Sequence, residues 1–165
     1  MYDNILTIYQ KLSNDEELLR LLYYPPEDIV KGIKDPLDPS LPNILSLPVN
    51  KIYEIKNDRV KKTPKSDDLE DKQICRIYIY SGRRNPNNGN YLLADQKIII
   101  DCLIHNSFQE GDLRLERISD RINKLLVHGR IVGIGEIEYD DGDLISAPKE
   151  YIGFRHIYKI LVNKK

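Results

Sequence analysis

The chain has no tryptophan, one methionine and only two cysteines among its 165 residues. Two cysteines, Cys75 and Cys102, are too few for a disulfide framework, so we expect buried, reduced thiols. Lys and Arg number 25 against 26 Asp and Glu, which gives a net charge of −1. A chain with this balance has no bulk attraction to nucleic acid, and any contact with DNA must be local.

Long apolar runs are also absent. No stretch approaches the ~20 apolar residues that a membrane span needs, and the start, "MYDNILTIYQ", has no basic region followed by an apolar one. We therefore expect a protein that is neither embedded in a membrane nor exported by a classical signal. The length and the 41% hydrophobic content predict a single globular domain over 1–165.

Apolar residues at spacings of three and four predict a helix over 2–12. Ser13 and Glu16 have the spacing of a capping box at the start of a second helix, which Pro25 and Pro26 end. The stretch "EDIVKGIKD" is expected to add one or two helical turns. These elements place helices at the N-terminal end of the fold.

A proline-rich and charged insertion is expected at about 35–72. Its first part, "PLDPSLPNILSLP", is too rich in proline for regular structure and predicts an extended segment on the surface. Its second part, extending to 73, is densely charged, basic first and then acidic. Such composition favours a solvated, mobile loop over 56–73, and we expect that loop to become partly ordered between partners.

Period-two alternation begins at Gln73 and returns in "KIIIDCLIH", which predicts an antiparallel strand pair joined by a long loop over 81–95. A helix follows, with Asp112 as its N-cap and Gly129 just past its end. Two closing strands, "RIVGIGEIEY" and "YIGFRHIYKILV", flank an acidic, turn-rich connection. The predicted fold is α+β, with a mostly antiparallel sheet of about four strands and helices packed on one face.

Gly133 and Gly135 raise the possibility of a phosphate-binding loop. A dinucleotide motif needs a third glycine and a helix that begins after the strand, whereas here the helix comes before the glycines. Two glycines on one strand face instead predict close packing of a bulky group over them.

Three carboxylates on candidate strands, Asp101, Glu136 and Glu138, suggest an alternative function as a Mg²⁺-dependent nuclease. The usual lysine two residues after an acid is missing, because Glu138 itself occupies that position after Glu136. We therefore expect these acids to line a solvated sheet face or edge.

The three histidines, His105, His128 and His156, show no metal-binding spacing, and His128 is placed to interact with a helix dipole. The chain has neither a serine nucleophile elbow nor a C-x-x-C pair. We expect no catalytic residues, no metal and no cofactor.

The segment "GRRNPNNGNY" is the best candidate for an interaction surface. Two arginines supply forked donors, the asparagines supply paired donors and acceptors, and a tyrosine supplies an aromatic anchor. The residues in question are Arg83, Arg84, Asn85, Asn87, Asn88 and Tyr91. Two arginines are too few for a DNA patch, so the expected partner is a protein. A disordered loop tip and an adaptor domain that binds one host protein through this loop are the alternatives.

The order of these elements resembles tail terminator proteins of tailed bacteriophages, which also serve in head–tail joining and tail completion. The resemblance covers about 73–162, with the first helix in support. It lies in "KIIIDCLIH", a short polar break, the helix "LRLERISDRINKLL" and a strand after glycine. The chain departs from smaller members of that group by its insertion at 35–72.

The resemblance implies a structural virion protein, located at the tail–neck, that assembles in the host bacterial cytoplasm. It implies a ring, usually of six copies, that caps the tail tube and offers a joining surface to the head connector or stopper protein. DNA would later pass through its channel. Contacts between ring neighbours would use charges on the outer face of the last helix, Arg114, Arg117, Asp120 and Arg121.

Overall fold

A computed structural model describes residues 1–87, 90–127, 130–131 and 135–161. The described α-helices are Tyr2–Ser13 (α1), Glu16–Tyr23 (α2), Val49–Arg59 (α3), Asn106–Asp112 (α4) and Arg114–Leu126 (α5). The described strands are Val60–Lys61 (β1), Cys75–Asn87 (β2), Asn90–His105 (β3), Arg130–Ile131 (β4), Gly135–Ile145 (β5) and Tyr151–Leu161 (β6).

These strands form one sheet in the order β1-β2-β3-β6-β5-β4, in which only the β1–β2 pairing is parallel. The prediction of an α+β fold with a mostly antiparallel sheet and N-terminal helices is confirmed. The described residues form six strands where about four were expected, and the two additional strands, β1 and β4, have two residues each.

The main core lies between the helices and one face of the sheet. The predicted apolar positions of β2 and β3, including Cys75, Ile77 and Ile100, are fully buried there. Each of these isoleucines contributes roughly 1.5–3 kcal/mol through burial. Both cysteines are free and buried as expected, and burial raises the pKa of the Cys75 thiol to about 12.

Two predicted helix starts are wrong by one or two residues. Asp15, and not Ser13, caps α2 by accepting a hydrogen bond from the Leu18 N–H at 2.8 Å. Asp112 ends α4, and the residue between α4 and α5 is Leu113, with φ of 53°. The sequence signal missed the second break because α4 already runs through the expected start.

The segment after α2 is not helical. Asp28 and Ile33 form a β-bridge around a turn in which Gly32 has φ of 70°, a conformation that favours glycine. The proline-rich segment beyond it does not simply lie on the surface, because Ile44 belongs to the main core. Arg20 holds this segment in place by donating to the carbonyls of Asp38 (2.9 Å) and Leu41 (2.8 Å).

The expected mobile loop over 56–73 is ordered within the single chain, which corrects the prediction. Its first residues complete α3 and form β1, and a 3-10 helix covers Asp67–Leu69. Its anchor is Arg76, which has no exposed side-chain surface and contacts Asp58 at 2.7 Å and Asp68 at 2.8 Å. The hydrogen bond from Arg76 holds the pKa of Asp68 well below its usual range.

The Arg76 anchor predicts a change in protease sensitivity. Arg76→Met removes charge-assisted hydrogen bonds worth about 1.5–3 kcal/mol, so the segment should open roughly 10- to 100-fold more often. Tryptic cleavage after Lys62 and Lys65 should then accelerate by a similar factor. The exposed Arg84, replaced by Met in the same way, provides the control. Equal cleavage rates in wild type and Arg76→Met would contradict the role of Arg76.

Candidate functional site

The predicted interaction loop is mostly a pair of strands. β2 extends to Asn87 and β3 begins at Asn90, and the residues from Arg84 to Asn87 pair with Asn90 and with Ala94 to Gln96. The last described pairing of β3 with β6 joins Gln96 to Ile160, and the described pairings of Asp95 and Ala94 are with β2. We call the part of the hairpin from Arg84 to Gln96 the arm. Four strand residues on the β2 side give it a length of about 13 Å.

A sequence signal for this hairpin is present but easily overlooked. Asn88-Gly89 is a dipeptide typical of two-residue hairpin turns. The flanking residues do not alternate between apolar and polar, unlike the residues of the neighbouring strands. Periodicity therefore does not identify the arm.

Two of the predicted interface residues, Arg83 and Arg84, are exposed at the base of the arm. They lie where the β2–β3 register shifts, between Ser81 and Arg84. Asn85, Asn87 and Tyr91 occupy strand positions; their side chains, and Asn88 as a whole, lie outside the described residues. Their part in an interface stays a prediction.

A polar cluster joins three adjacent strands on the sheet face opposite the helices. Arg155 donates to both carboxylate oxygens of Asp101, at 2.7 and 2.9 Å, and Tyr80 donates to the same carboxylate at 2.5 Å. Burial, followed by this hydrogen bond, raises the pKa of Tyr80 to about 12. A cavity of about 450 Å³ lies over the cluster, bordered by Pro64, Ser66 and Ser146 among others.

Geometry does not support the three carboxylates of the nuclease alternative as one site. Asp101 is buried and bidentate with Arg155, so its charge is already compensated. Glu136 and Glu138 lie on β5, on the far side of β6 and about 10 Å from β3 across two strand spacings. Among the described residues, no three Asp, Glu, His or Cys side chains are grouped so that they could hold a metal ion.

The charges on α5 are largely engaged within the chain. Arg114 has no exposed side-chain surface, contacts Asp112 at 2.8 Å and donates to the carbonyl oxygens of Leu21 and Tyr24. It therefore offers nothing to a neighbouring subunit, which corrects its predicted role.

The two other arginines of α5 are ion-paired as well. Arg117 pairs with Asp35 and Asp112, and Arg121 pairs with Asp15 and Glu17. Asp120 is exposed. These pairs fasten α5 to α2 and to the proline-rich segment, and the sequence could not show them because the partners lie up to 106 positions away.

Two histidines form hydrogen bonds within the fold. His105 caps α4 by accepting from the Ser107 N–H at 3.2 Å. His156 lies under α5, with Ser119 at 2.9 Å from one ring nitrogen and Tyr139 at 3.2 Å from the other. Burial lowers the pKa of His156 to about 4, so it is neutral at physiological pH. His128 lies outside the described residues.

The strand β5 continues through residues expected to form a turn. It runs from Gly135 to Ile145, and Glu138, Asp140, Asp141 and Asp143 are exposed along it. Gly135 pairs with Ile131 at its start, while Gly133 lies outside the described residues, so their close packing stays a prediction. The Asp-Asp-Gly-Asp composition indicated a turn, but pairing with β6 overrides that local preference.

His156 predicts a pH dependence of stability. Between pH 6.5 and about 4 the unfolded chain binds a proton at this residue that the folded chain does not. The free energy of unfolding should therefore decrease as the pH is lowered through this range. The fall attributable to His156 is on the order of 3 kcal/mol. His156→Gln should reduce it, as measured by urea unfolding at several pH values. If the free energy of unfolding decreases equally with falling pH in wild type and in His156→Gln, His156 is not a buried, neutral histidine.

Within the described part of the chain, none of the helices combines the length and apolar character that a bilayer-spanning segment requires.

The chain matches a known protein family along most of its length. The YomW family model matches residues 15–160. A relative from Bacillus subtilis (strain 168), described as "SPbeta prophage-derived uncharacterized protein YomW", is 32% identical over 173 aligned positions, covering 98% of this chain and 97% of the relative. A prophage-derived relative of nearly equal length indicates a phage origin. The chain belongs to the YomW family.

Proposed function

We propose that this protein is a structural component of the phage virion that caps the tail tube as a ring and forms the joining surface to the head connector. The observation that carries the proposal is the arm, a strand pair that extends beyond the last described pairing with β6 and has Arg83 and Arg84 exposed at its base. Arg83 and Arg84 belong to neither of the two hydrophobic cores that the described residues form.

The family supports this assignment at a coarser level, because a prophage is the source of the relative that spans nearly the whole chain. The order of elements supports it as well. An N-terminal helix, a long hairpin, a charged helix and two closing strands are the features that resemble tail terminator proteins, and the long hairpin is now a described element of the structure.

In this proposal the helix-covered sheet is a rigid body and the arm is its contact element. A paired hairpin keeps its shape before binding, so less conformational entropy is lost on docking than with a disordered loop. The arm would reach the last ring of tail tube protein, stop further polymerisation and leave the opposite side of the ring for the head connector or stopper protein. DNA would pass through the central channel.

The proposed work is mechanical and not enzymatic, with no cofactor and no metal. The protein would assemble in the host cytoplasm and remain at the tail–neck of the virion. Its contacts would be with other copies of itself, with tail tube protein and with the connector.

The arm provides the test. Replacing 85–95 by Asn-Gly joins Arg84 to Gln96, which already face each other across the hairpin, by a favoured two-residue turn. We expect the shortened protein to fold but to bind purified tail tubes at least tenfold more weakly, as measured by co-sedimentation. In the phage that encodes it, tails should become overlong and heads should remain unjoined.

A matched control changes exposed residues elsewhere. Ile29 and Val30, at the tip of the turn after α2, are 87% and 97% exposed, and Ser replacements there should leave tube binding unchanged. Capping of tubes by the shortened protein at the wild-type level would overturn the proposed function.

A further inference from the structure

The two long edges of the sheet carry opposite charge. On the side of β1 and β2 lie Lys61, Lys62, Arg83 and Arg84, which we call the basic edge. On the side of β5 lie Glu138, Asp140, Asp141 and Asp143, which we call the acidic edge. A net charge near zero therefore conceals a separation of charge across the sheet.

Most of these charges have no ion-pair partner within the described part of the chain. Asp140 pairs with Lys97 at 2.7 Å. Lys62 lies over the ring of Tyr9, 4.2 Å from its centroid, a contact that leaves its charge uncompensated. Arg83 and Arg84 are exposed on one edge, and Glu138, Asp141 and Asp143 on the other, with no ion pair among the described residues.

The backbone of both edges is open along much of its length. Among the described residues, β1 pairs with β2 only at Ile77 and Tyr78, and β4 pairs with β5 only at Gly135 and Glu136. On β5 the Asp141 and Asp143 carboxylates accept from the N–H groups of Gly142 and Leu144, at 2.8 and 2.7 Å. These hydrogen bonds occupy backbone N–H groups at the edge, which limits the addition of unrelated strands. Binding of a partner at this edge therefore depends on complementary charge.

The basic edge of one copy cannot neutralise the acidic edge of the same copy. Three strand spacings, about 14 Å, separate β2 from β5, which exceeds the Debye length of about 8 Å at physiological salt. A second copy can neutralise them, because its basic edge can lie against the acidic edge of the first. Such a contact is heterologous and leaves one free edge at each end of a row, so only closure into a ring satisfies every edge.

We propose that the acidic edge of one copy binds the basic edge of the next copy, and that this contact closes the ring. The proposal rests on the proposed function for the existence of a ring, and it adds the surfaces that form it. The α5 arginines play no part, because they pair within the chain.

Charge reversal provides the experiment. Arg83→Glu with Arg84→Glu removes the net positive charge of the basic edge, and Asp141→Lys with Asp143→Lys removes the net negative charge of the acidic edge. Wild type should form a multimer in about 50 mM salt that dissociates in about 500 mM salt, as measured by size-exclusion chromatography with light scattering. Each double variant should be monomeric on its own, and an equimolar mixture of the two should assemble.

Two further variants separate charge from other effects. Glu27→Lys with Glu110→Lys introduces the same charge change at exposed positions away from both edges and should assemble like wild type. Asp141→Asn with Asp143→Asn keeps an oxygen that can accept from the edge N–H groups but removes the charge. It should weaken assembly at least tenfold.

Three outcomes would overturn the edge contact: a wild type that stays monomeric, double variants that assemble like wild type, or a mixture that fails to assemble. Binding of tail tubes by wild-type protein reports on the proposed function separately. If wild type assembles and caps tubes while the reversals have no effect, the ring uses another surface. If wild type assembles through its edges but does not bind tail tubes, the edge contact is supported and the proposed function is wrong.

Discussion

The buried guanidinium of Arg76 orders the most highly charged segment of the chain, 56–73, against the sheet. It lies on the sheet face opposite the helices and donates to the Asp58 carbonyl at 2.6 Å as well as to the carboxylates of Asp58 and Asp68. A buried arginine without partners would be strongly destabilising, so the partners must be held beside it. The end of α3, β1 and the 3-10 helix are thereby fixed to the sheet.

Several features follow from that attachment. Leu69 enters a second core with Ile74 and Tyr78, so part of the sheet face without helices is also covered. Pro64 and Ser66 border the cavity over Asp101, Arg155 and Tyr80. The same attachment places Lys61 opposite Tyr78 of β2, on the side of the sheet that also carries Arg83 and Arg84.

The surfaces available to a partner are therefore those that the intrachain ion pairs leave open. The α5 arginines form ion pairs within the chain that hold this helix against its neighbours; they are Arg114, Arg117 and Arg121. The arm and the two edges are among the surfaces that remain, and all three belong to the sheet. In a ring-forming virion protein this division would let the helices stabilise each subunit while the sheet provides contacts to the neighbouring copy and to the tube.

Patterns of apolar and polar residues in the sequence predicted the parts of the fold that depend on residues close together in the chain. The alternation in "KIIIDCLIH", the apolar stripe of α5 and the stop at Pro25 all correspond to the described elements. The candidate site was anticipated only as a segment, since "GRRNPNNGNY" was identified as an interaction element but expected to be a loop. The acidic edge was missed, because Asp-rich sequence favours turns unless a neighbouring strand supplies hydrogen bonds.

By itself, the sequence determined which residues face the core and that a sheet with helices on one side would form, because burial patterns repeat at the period of each element. Only the tertiary structure decided where β6 lies. Its insertion between β3 and β5 separates Asp101 from Glu136 and Glu138, pairs Asp101 with Arg155, and places the acidic strand at the edge opposite Arg83 and Arg84. Strand order and ion pairs join residues distant in the chain, and no local spacing encodes them.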